Sequence, residues 1–483
     1  KKLNFIIKCG LALLLLSFYS CESWLNVTPS DRLSEEMLFN DREGFVKALN
    51  GVYIELNTNE LYGRNLTAGA LDVMGQYYSV ASSSHAFYNY GGLVYTGNDE
   101  KALFDNMWQK CYAVIACCNT IIEKCDENKA GLSPVWRGSI KGEALALRAM
   151  LHFDMLRLFG PLTSELDKES IPYQTNSDQT VTPLLSGSEV VGLILDDLKN
   201  AVGLLKDTDP YFVEEEFSDT DLNYRRFRMN YFAAKGLMAR VQLWGGDKEK
   251  AAATAKEVIA EGQAEGAEFF PFVTNSEATS SNPDRVFYSE VLFGTYHSSR
   301  EKLHEDLFAP TLESTSILTL AGTARRDDLY DNENDYRYSV WSTYNKNGTS
   351  VLYHRKFEKQ DNVTASRQYM IPLIRMSEMY LIAVECCKLD EASVYLNTFR
   401  NARNCNSLAL TEDNRINILA NEYKKEMLGE GQLFFFYKRQ EMVNIPDGNQ
   451  ATGTKNVELA KYVVPLPESE TDQRISSTDI SNE

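Results

Sequence analysis

Residues 231–259 read YFAAKGLMARVQLWGGDKEKAAATAKEVI. The stretch runs apolar from Tyr231 to Trp244, breaks at Gly245-Gly246-Asp247, and resumes with helical spacing from Lys250 to Ile259. Glycine beside aspartate ends one helix and offers a cap to the next. Ala234, Ala239, Ala251 and Ala255 fall where two helices must come close. The segment therefore predicts a helix–turn–helix hairpin with small residues along its seam.

The same periodicity recurs on both sides. Phe45, Leu49, Val52 and Leu56 are spaced for one helix face, as are Phe104, Trp108, Cys111, Ile115, Cys118, Ile122 and Cys125. Ile140, Ala144, Leu147, Leu151, Met155 and Leu158 mark a third helix, which Gly160-Pro161 stops. Ala146, Ala149 and Phe153 give it a second apolar strip, so it should lie between other helices. Ser186-Gly-Ser-Glu189 has the form of a capping box opening a helix through Val191, Ile194, Leu198, Ala201 and Leu205. Helix returns over 374–387, 392–402 and 416–439. Paired helices of this kind are similar to tetratricopeptide repeats, in which each pair buries its neighbour's face.

Two regions break the pattern. Residues 60–100 and 262–370 are rich in Tyr, Ser, Asn, Gly and Asp, with short strand-like runs at 286–293 and 351–357. They read as long loops and small hairpins mounted on the helices, and long irregular segments in a compact protein are often the functional ones. The predicted fold class is mainly α: a tetratricopeptide-like scaffold of helical pairs with long irregular loops and a few short strands. The expected divisions are a leader at 1–20, an N-terminal half at 21–230 and a C-terminal half at 231–483.

The leader is read from its chemistry. Lys1, Lys2 and Lys8 precede an apolar run from Cys9 to Phe18, and Ser20 precedes Cys21. A positive start, a short apolar core and a small residue at the cut describe a secretory signal peptide. The run is too short for a membrane-spanning helix, which needs roughly 20 apolar residues. A cysteine directly after the cut is the acceptor for a lipid anchor, so Cys21 is the expected lipid-attachment residue, although Phe18 and Tyr19 are bulky for the usual motif.

With 49 Lys+Arg against 68 Asp+Glu, the chain carries a formal charge of −19, which excludes nucleic acid and anionic lipid surfaces as natural partners. Cys111, Cys118 and Cys125 share one apolar stripe, and no CxxC pair occurs, so they read as core thiols. His85, His152, His297, His304 and His354 are scattered outside any metal-binding motif, His152 inside an apolar helix. No cofactor or metal is expected. The acids at Asp327, Asp328 and 331–335 are able to hold a structural calcium, but they lack EF-hand spacing and read as solvated loop charge. Glu143, Arg148, Arg375 and Glu378 are charges on otherwise apolar helices and are expected to be paired within the framework.

Taken in order, several short stretches resemble the SusD/RagB family of outer-membrane nutrient-binding lipoproteins of Bacteroidetes-type bacteria. They are Cys21 followed by Leu25-Asn-Val-Thr-Pro29, Ala48-Leu-Asn-Gly-Val-Tyr53, Gly142-Glu-Ala-Leu-Ala-Leu-Arg-Ala149, Leu158-Phe-Gly-Pro161 and Ala239-Arg-Val-Gln-Leu-Trp244 with Gly246-Asp247. Ile371-Pro-Leu-Ile-Arg-Met-Ser-Glu378, Leu396-Asn-Thr-Phe-Arg400, Glu430-Gly-Gln432 and Pro465-Leu-Pro467 follow. Leu433 and Phe436 depart from the pattern, standing where polar residues are expected.

The resemblance implies a lipid-anchored protein on the outer membrane, facing outward, with no catalytic activity. It would bind a glycan, or in some members a peptide, and pass it to a SusC-type TonB-dependent transporter. Sugar recognition needs exposed rings with polar tips. The tyrosine-rich stretch from Asp72 through Tyr77, Tyr78, Tyr88 and Tyr90 to Tyr95 has that composition, as do Tyr296, Trp341 and Tyr344 in the second irregular region. These nine residues are the candidate ligand contacts. The competing readings are a helical glycoside hydrolase, which needs two carboxylates flanking a cleft, and an adaptor whose ligand is another protein.

Overall fold

Helices that follow one another in the chain pack against one another, and this order organises the molecule. The computed structural model describes residues 35–178, 181–266, 268–472 and 474; the leader, Cys21 and the stretch Leu25 to Pro29 lie outside them. Helix α1 (Arg42–Leu56) starts where the Asp41 carboxylate accepts the Gly44 N–H at 2.8 Å, and it buries Phe45, Leu49, Val52 and Leu56. It lies on α2 (Asn98–Glu127), whose stripe buries Cys111, Cys118 and Cys125 as core thiols. Helix α3 (Pro134–Phe159) is buried on both apolar strips, against α2 on one side and α4 (Gly187–Thr208) on the other. The Ser186–Glu189 capping box that opens α4 is formed. A Cβ on Gly142 would stand 2.8 Å from Leu205, so α3 and α4 approach closer than any side chain there permits.

The opening hairpin is present as α5 (Tyr231–Trp244) and α6 (Lys248–Gly262), with Asp247 capping α6. Helix α5 packs on α4, and α6 packs on α7 (Met376–Cys386), although residues 263–375 separate the last two in sequence. The row continues into α8 (Leu389–Ala402), and α9 (Glu412–Glu426) and α10 (Leu433–Arg439) close the end. Among the described residues, four two-stranded antiparallel ladders decorate this frame: β1 (Glu169–Pro172) with β2 (Leu184–Ser186), β3 (Val291–Tyr296) with β6 (Met370–Arg375), β4 (Trp341–Lys346) with β5 (Thr349–His354), and β7 (Asn444–Pro446) with β8 (Thr454–Asn456). The fold is mainly α, built of stacked helical pairs.

Three expectations are corrected. The helix expected over 374–387 begins only at Met376, because Met370–Arg375 is a strand paired with Val291–Tyr296. The helix expected over 416–439 is two helices, since Gly429 and Gly431 both take positive φ (80° and 68°) and their N–H groups turn onto Asp72 at 2.6 and 2.9 Å. Residues 60–100 are not a projecting loop. They form tight turns and the short helices Ala70–Met74 and Tyr88–Gly91, most of whose residues are buried.

The charges expected to be paired are paired. Arg148 binds the Asp197 carboxylate in two contacts of 2.7 Å, and Glu143 meets Arg225, which also holds Asp209. Glu378 takes Arg240 at 2.6 Å, while Arg375 reaches Glu426 and, at 3.0 Å, Glu430. His152 is a core residue: its ring stacks on Tyr173 at 4.0 Å, Nδ1 donates to the Arg148 carbonyl, and Nε2 accepts the Gln174 N–H. Leu433 and Phe436 are core residues too, Phe436 stacking on Tyr423 at 4.5 Å.

Candidate functional site

The tyrosines of the first irregular region divide by exposure. Tyr77, Tyr78, Tyr90 and Tyr95 are buried, and three of their hydroxyls are spent inside the protein. Tyr77 donates to the Tyr423 carbonyl (3.2 Å), Tyr78 to Asp72 (3.3 Å) and Tyr95 to the Lys461 carbonyl (2.7 Å). A buried tyrosine needs such a partner; for Tyr78 it is local, but for Tyr77 and Tyr95 it lies far along the chain, so those two rings pin the segment to the C-terminal region. Asp72 is fully buried, and its carboxylate ties the Ala70–Met74 helix to the Gly429–Gly431 turn. Burial raises its pKa to about 7, against the pull of the two glycine N–H groups, Lys356 and Tyr78. Trp341 is buried as well, its indole N–H donating to Tyr330 at 3.3 Å. These six of the nine candidates are buried in this structure, and the core has already taken the polar tips of all but Tyr90.

The other three touch solvent. Tyr88 and Tyr344 are each 44% exposed, and Tyr296 is half-buried. Tyr88 lies beside exposed Ser82, Ser83 and Ser84 on a segment that hydrogen-bonds to Thr315 through the Ala86 N–H. Tyr344 sits near the tip of the β4–β5 hairpin, where Lys346 donates to the carbonyls of Thr311 (3.1 Å) and Leu312 (3.0 Å). The segments that carry both rings therefore contact residues 311–319.

Tyr296, at the end of β3, belongs to a different and tighter group. Its ring centre is 6.0 Å from Tyr224, 5.2 Å from Tyr369 and 5.2 Å from the buried Phe227 beneath. Tyr224 is 38% exposed and Tyr369 half-buried. The Tyr296 hydroxyl has a raised pKa, first from burial and then from the neighbouring Tyr224 and Tyr369. Three elements build this platform: the 219–228 segment before α5, the β3 end, and the short Ala365–Tyr369 helix that leads into β6. Tyr224 and Tyr369 escape sequence reading because neither lies in a tyrosine-dense stretch; the β3–β6 pairing brings Tyr369 to Tyr296, and packing of the Arg225–Phe227 turn on β3 brings Tyr224.

The acid-rich stretch divides: Asp327, Asp328 and Glu333 are exposed, as expected of solvated loop charge, whereas Asp335 and Asp331 are tied to the fold. Asp335 is buried and binds Arg337 at 2.8 and 2.9 Å, and Asp331 meets Arg400 and, at 2.9 Å, Lys425. Their carboxylates serve cations of the fold. Among the described residues no group of three or more His, Cys, Asp and Glu side chains is placed to hold a metal ion. Among them, too, no helix is long and apolar enough to cross a membrane.

Two family profiles match the chain: one described as starch-binding associating with outer membrane (SusD-like) over residues 23–243, and the SusD family (SusD/RagB) over residues 282–475. A SusD-like protein of Formosa agariphila is 22% identical, with 96% of each chain covered. Among solved structures, a SusD superfamily protein of Bacteroides thetaiotaomicron superposes with a TM-score of 0.69 at 21% identity, covering 89% of this chain and 98% of that one. A laminarin-binding SusD-like protein superposes at 0.65 with 18% identity, covering 89% and 97%. The two profiles, in order along nearly the whole helical frame described above, make this chain a member of the SusD/RagB family of carbohydrate-binding proteins.

Proposed function

We propose that the protein captures a glycan at the cell surface through exposed tyrosine rings and passes it, without breaking a bond, to a SusC-type TonB-dependent transporter. The observation that carries the ligand reading is the Tyr224–Tyr296–Tyr369 platform. Its rings are contiguous, partly exposed and backed by Phe227, which suits the apolar face of a sugar ring. The laminarin-binding relative supports a β-glucan as the first ligand to try. The reading without catalysis fits the buried Glu290, Glu378, Glu385, Glu422 and Glu426, each of which is held by an arginine.

The test is calorimetric titration with laminarin oligosaccharides and a wider glycan array. Replacing Tyr224, Tyr296 and Tyr369 together by Ala is expected to weaken binding at least about tenfold, since each stacked aromatic contact contributes about 0.5–1.5 kcal/mol. Unchanged affinity would remove the platform from the site. A second reading places the ligand across residues 311–319, favoured by the equal exposure of Tyr88 and Tyr344 on the segments that contact it; loss of binding in the Tyr88→Ala, Tyr344→Ala double variant alone selects it. Binding of peptides in place of glycans on an array selects the peptide-binding alternative. Lipid anchoring through Cys21 predicts that Cys21→Ala moves the protein out of the membrane fraction. The transporter reading predicts a large barrel protein in pull-downs of the anchored form.

A further inference from the structure

Of the three elements that build the tyrosine platform, the helix Ala365–Tyr369 is only five residues long. A helix that short cannot hold its own end, because its last carbonyls have no partner inside it. Here a single neighbouring turn takes them. The Arg300 Nη1 donates to the carbonyls of Arg367 (3.2 Å) and Met370 (2.9 Å), and the His297 N–H donates to the carbonyl of Tyr369 at 2.8 Å. The turn is closed on itself, since the Arg300 N–H donates to the His297 carbonyl at 2.9 Å. It follows Tyr296 directly, so the backbone around Tyr369 is tied to the residues that come after Tyr296.

Arg300 is the costly member of this arrangement. It is 1% exposed and enters no ion pair among the described residues, and its Nε is buried with no acceptor among them. Its guanidinium carbon lies 5.8 Å from the centre of the Phe357 ring. A guanidinium buried without a carboxylate is destabilising, and an apolar side chain would fill the same space without that cost. What a cation adds there is charge-assisted hydrogen bonding to two carbonyls, roughly twice as strong as that of a neutral donor. We propose that Arg300 is a positioning residue of the binding platform: it touches no ligand, and it sets Tyr369 at its 5.2 Å spacing from Tyr296 by holding the carbonyl end of the helix that carries Tyr369. The inference rests on the platform reading above. Tyr224 stands on a different element, ahead of α5, and does not depend on Arg300.

The first readout needs no ligand. Crystals of Arg300→Met should show the Tyr369 ring displaced from Tyr296, with Tyr224 still in place against it. The second is a double-mutant cycle on calorimetric affinities for laminarin oligosaccharides. Arg300→Met alone should weaken binding about two- to tenfold, the loss expected when one stacked ring is withdrawn. In a Tyr369→Ala background the same substitution should change affinity by less than about twofold, while in a Tyr224→Ala background it should keep its full effect. Arg300→Lys, which retains a cation, should restore most of the affinity. A merely structural role would lower Tm without this pattern, as Arg415→Met is expected to do: the Arg415 Nη1 likewise donates to two carbonyls, those of Glu385 and Cys387 at the end of α7. A Tyr369 ring unmoved in the Arg300→Met crystals overturns the proposal, as does a loss of affinity that persists in the Tyr369→Ala background. If the triple tyrosine variant binds normally, the platform reading fails and this inference with it; if the triple variant loses binding and Arg300→Met does not, the platform stands and Arg300 alone is excluded. Should Arg300→Met not fold, Arg300→Gln, which keeps a side-chain N–H donor, takes its place in both readouts with the same expectations.

Discussion

Asp72 shows how one side chain can be indispensable to the fold and silent at the surface. Its carboxylate accepts from Gly429 and Gly431, yet burial holds its pKa at about 7, well above the value of about 3.9 for an unfolded chain. A carboxyl whose folded pKa is raised favours the folded state while protonated. That contribution is fully present below about pH 4 and is lost as pH rises through about 7. In urea titrations between pH 4 and 7, the unaltered protein should therefore lose stability relative to Asp72→Asn, whose side chain does not titrate; a difference independent of pH would show that the carboxylate is ionised throughout. Arg375 poses the opposite case. Its side chain is 1% exposed between Glu426 and Glu430, so Arg375→Met leaves two buried carboxylates short of a partner and should cost about 3–5 kcal/mol in chemical denaturation. The residue scale is also where sequence reading of the ligand site came apart. Tyr77, Tyr78, Tyr90 and Tyr95 have the composition of a sugar-binding stretch, but composition does not say whether a tyrosine hydroxyl will find a backbone carbonyl hundreds of residues away, as those of Tyr77 and Tyr95 do.

At the scale of elements, what sequence reveals is local period, and it is accurate where a helix is closed by its own caps. The Ser186–Glu189 box, the Asp247 cap and the apolar stripes of α2 and α3 needed nothing beyond neighbours in the chain. It fails where a partner strand decides. Met370–Arg375 is apolar enough to extend the following helix, and only pairing with Val291–Tyr296 makes it extended. It fails again at Gly429 and Gly431, whose turn exists to serve Asp72. The seam between α3 and α4 gives a direct test of close approach. With Leu205 2.8 Å from the place a Cβ would occupy at Gly142, Gly142→Val must push the helices apart, and overpacking of this kind costs about 1–3 kcal/mol. A lowered denaturation midpoint with an unchanged helical circular-dichroism spectrum is expected; an unchanged midpoint would mean that the two helices slide freely. On the β4–β5 hairpin the expectation reverses: Tyr344→Ala removes a ring that is 44% exposed and should leave stability within about 0.5 kcal/mol.

For the whole molecule the question is whether the two profile-matched regions, 23–243 and 282–475, are independent folding units. The contacts between them argue for one. Arg240 of α5 binds Glu378 of α7 at 2.6 Å, Arg157 of α3 donates to Gln432 at 2.9 Å, and Asp72 and Tyr77 both anchor in the 423–431 stretch. Helix α6 lies between the two regions in sequence and packs on α5 from one side and α7 from the other. A fragment ending at residue 243 would expose the face of α5 that α6 covers, take Gln432 from Arg157 while leaving it Asp154, and take the Gly429 and Gly431 N–H groups from Asp72, each lost partner costing about 1–3 kcal/mol. Expressed alone, residues 22–243 should therefore bind a hydrophobic dye and lack a cooperative thermal transition. Residues 22–262 co-expressed with 263–483 should reassemble through the α6–α7 contact, because the cut then falls between helices that the intact chain already joins only by packing. A sharp, reversible melt from the 22–243 fragment would show that these cross-contacts are an interface between two finished domains and not the interior of one.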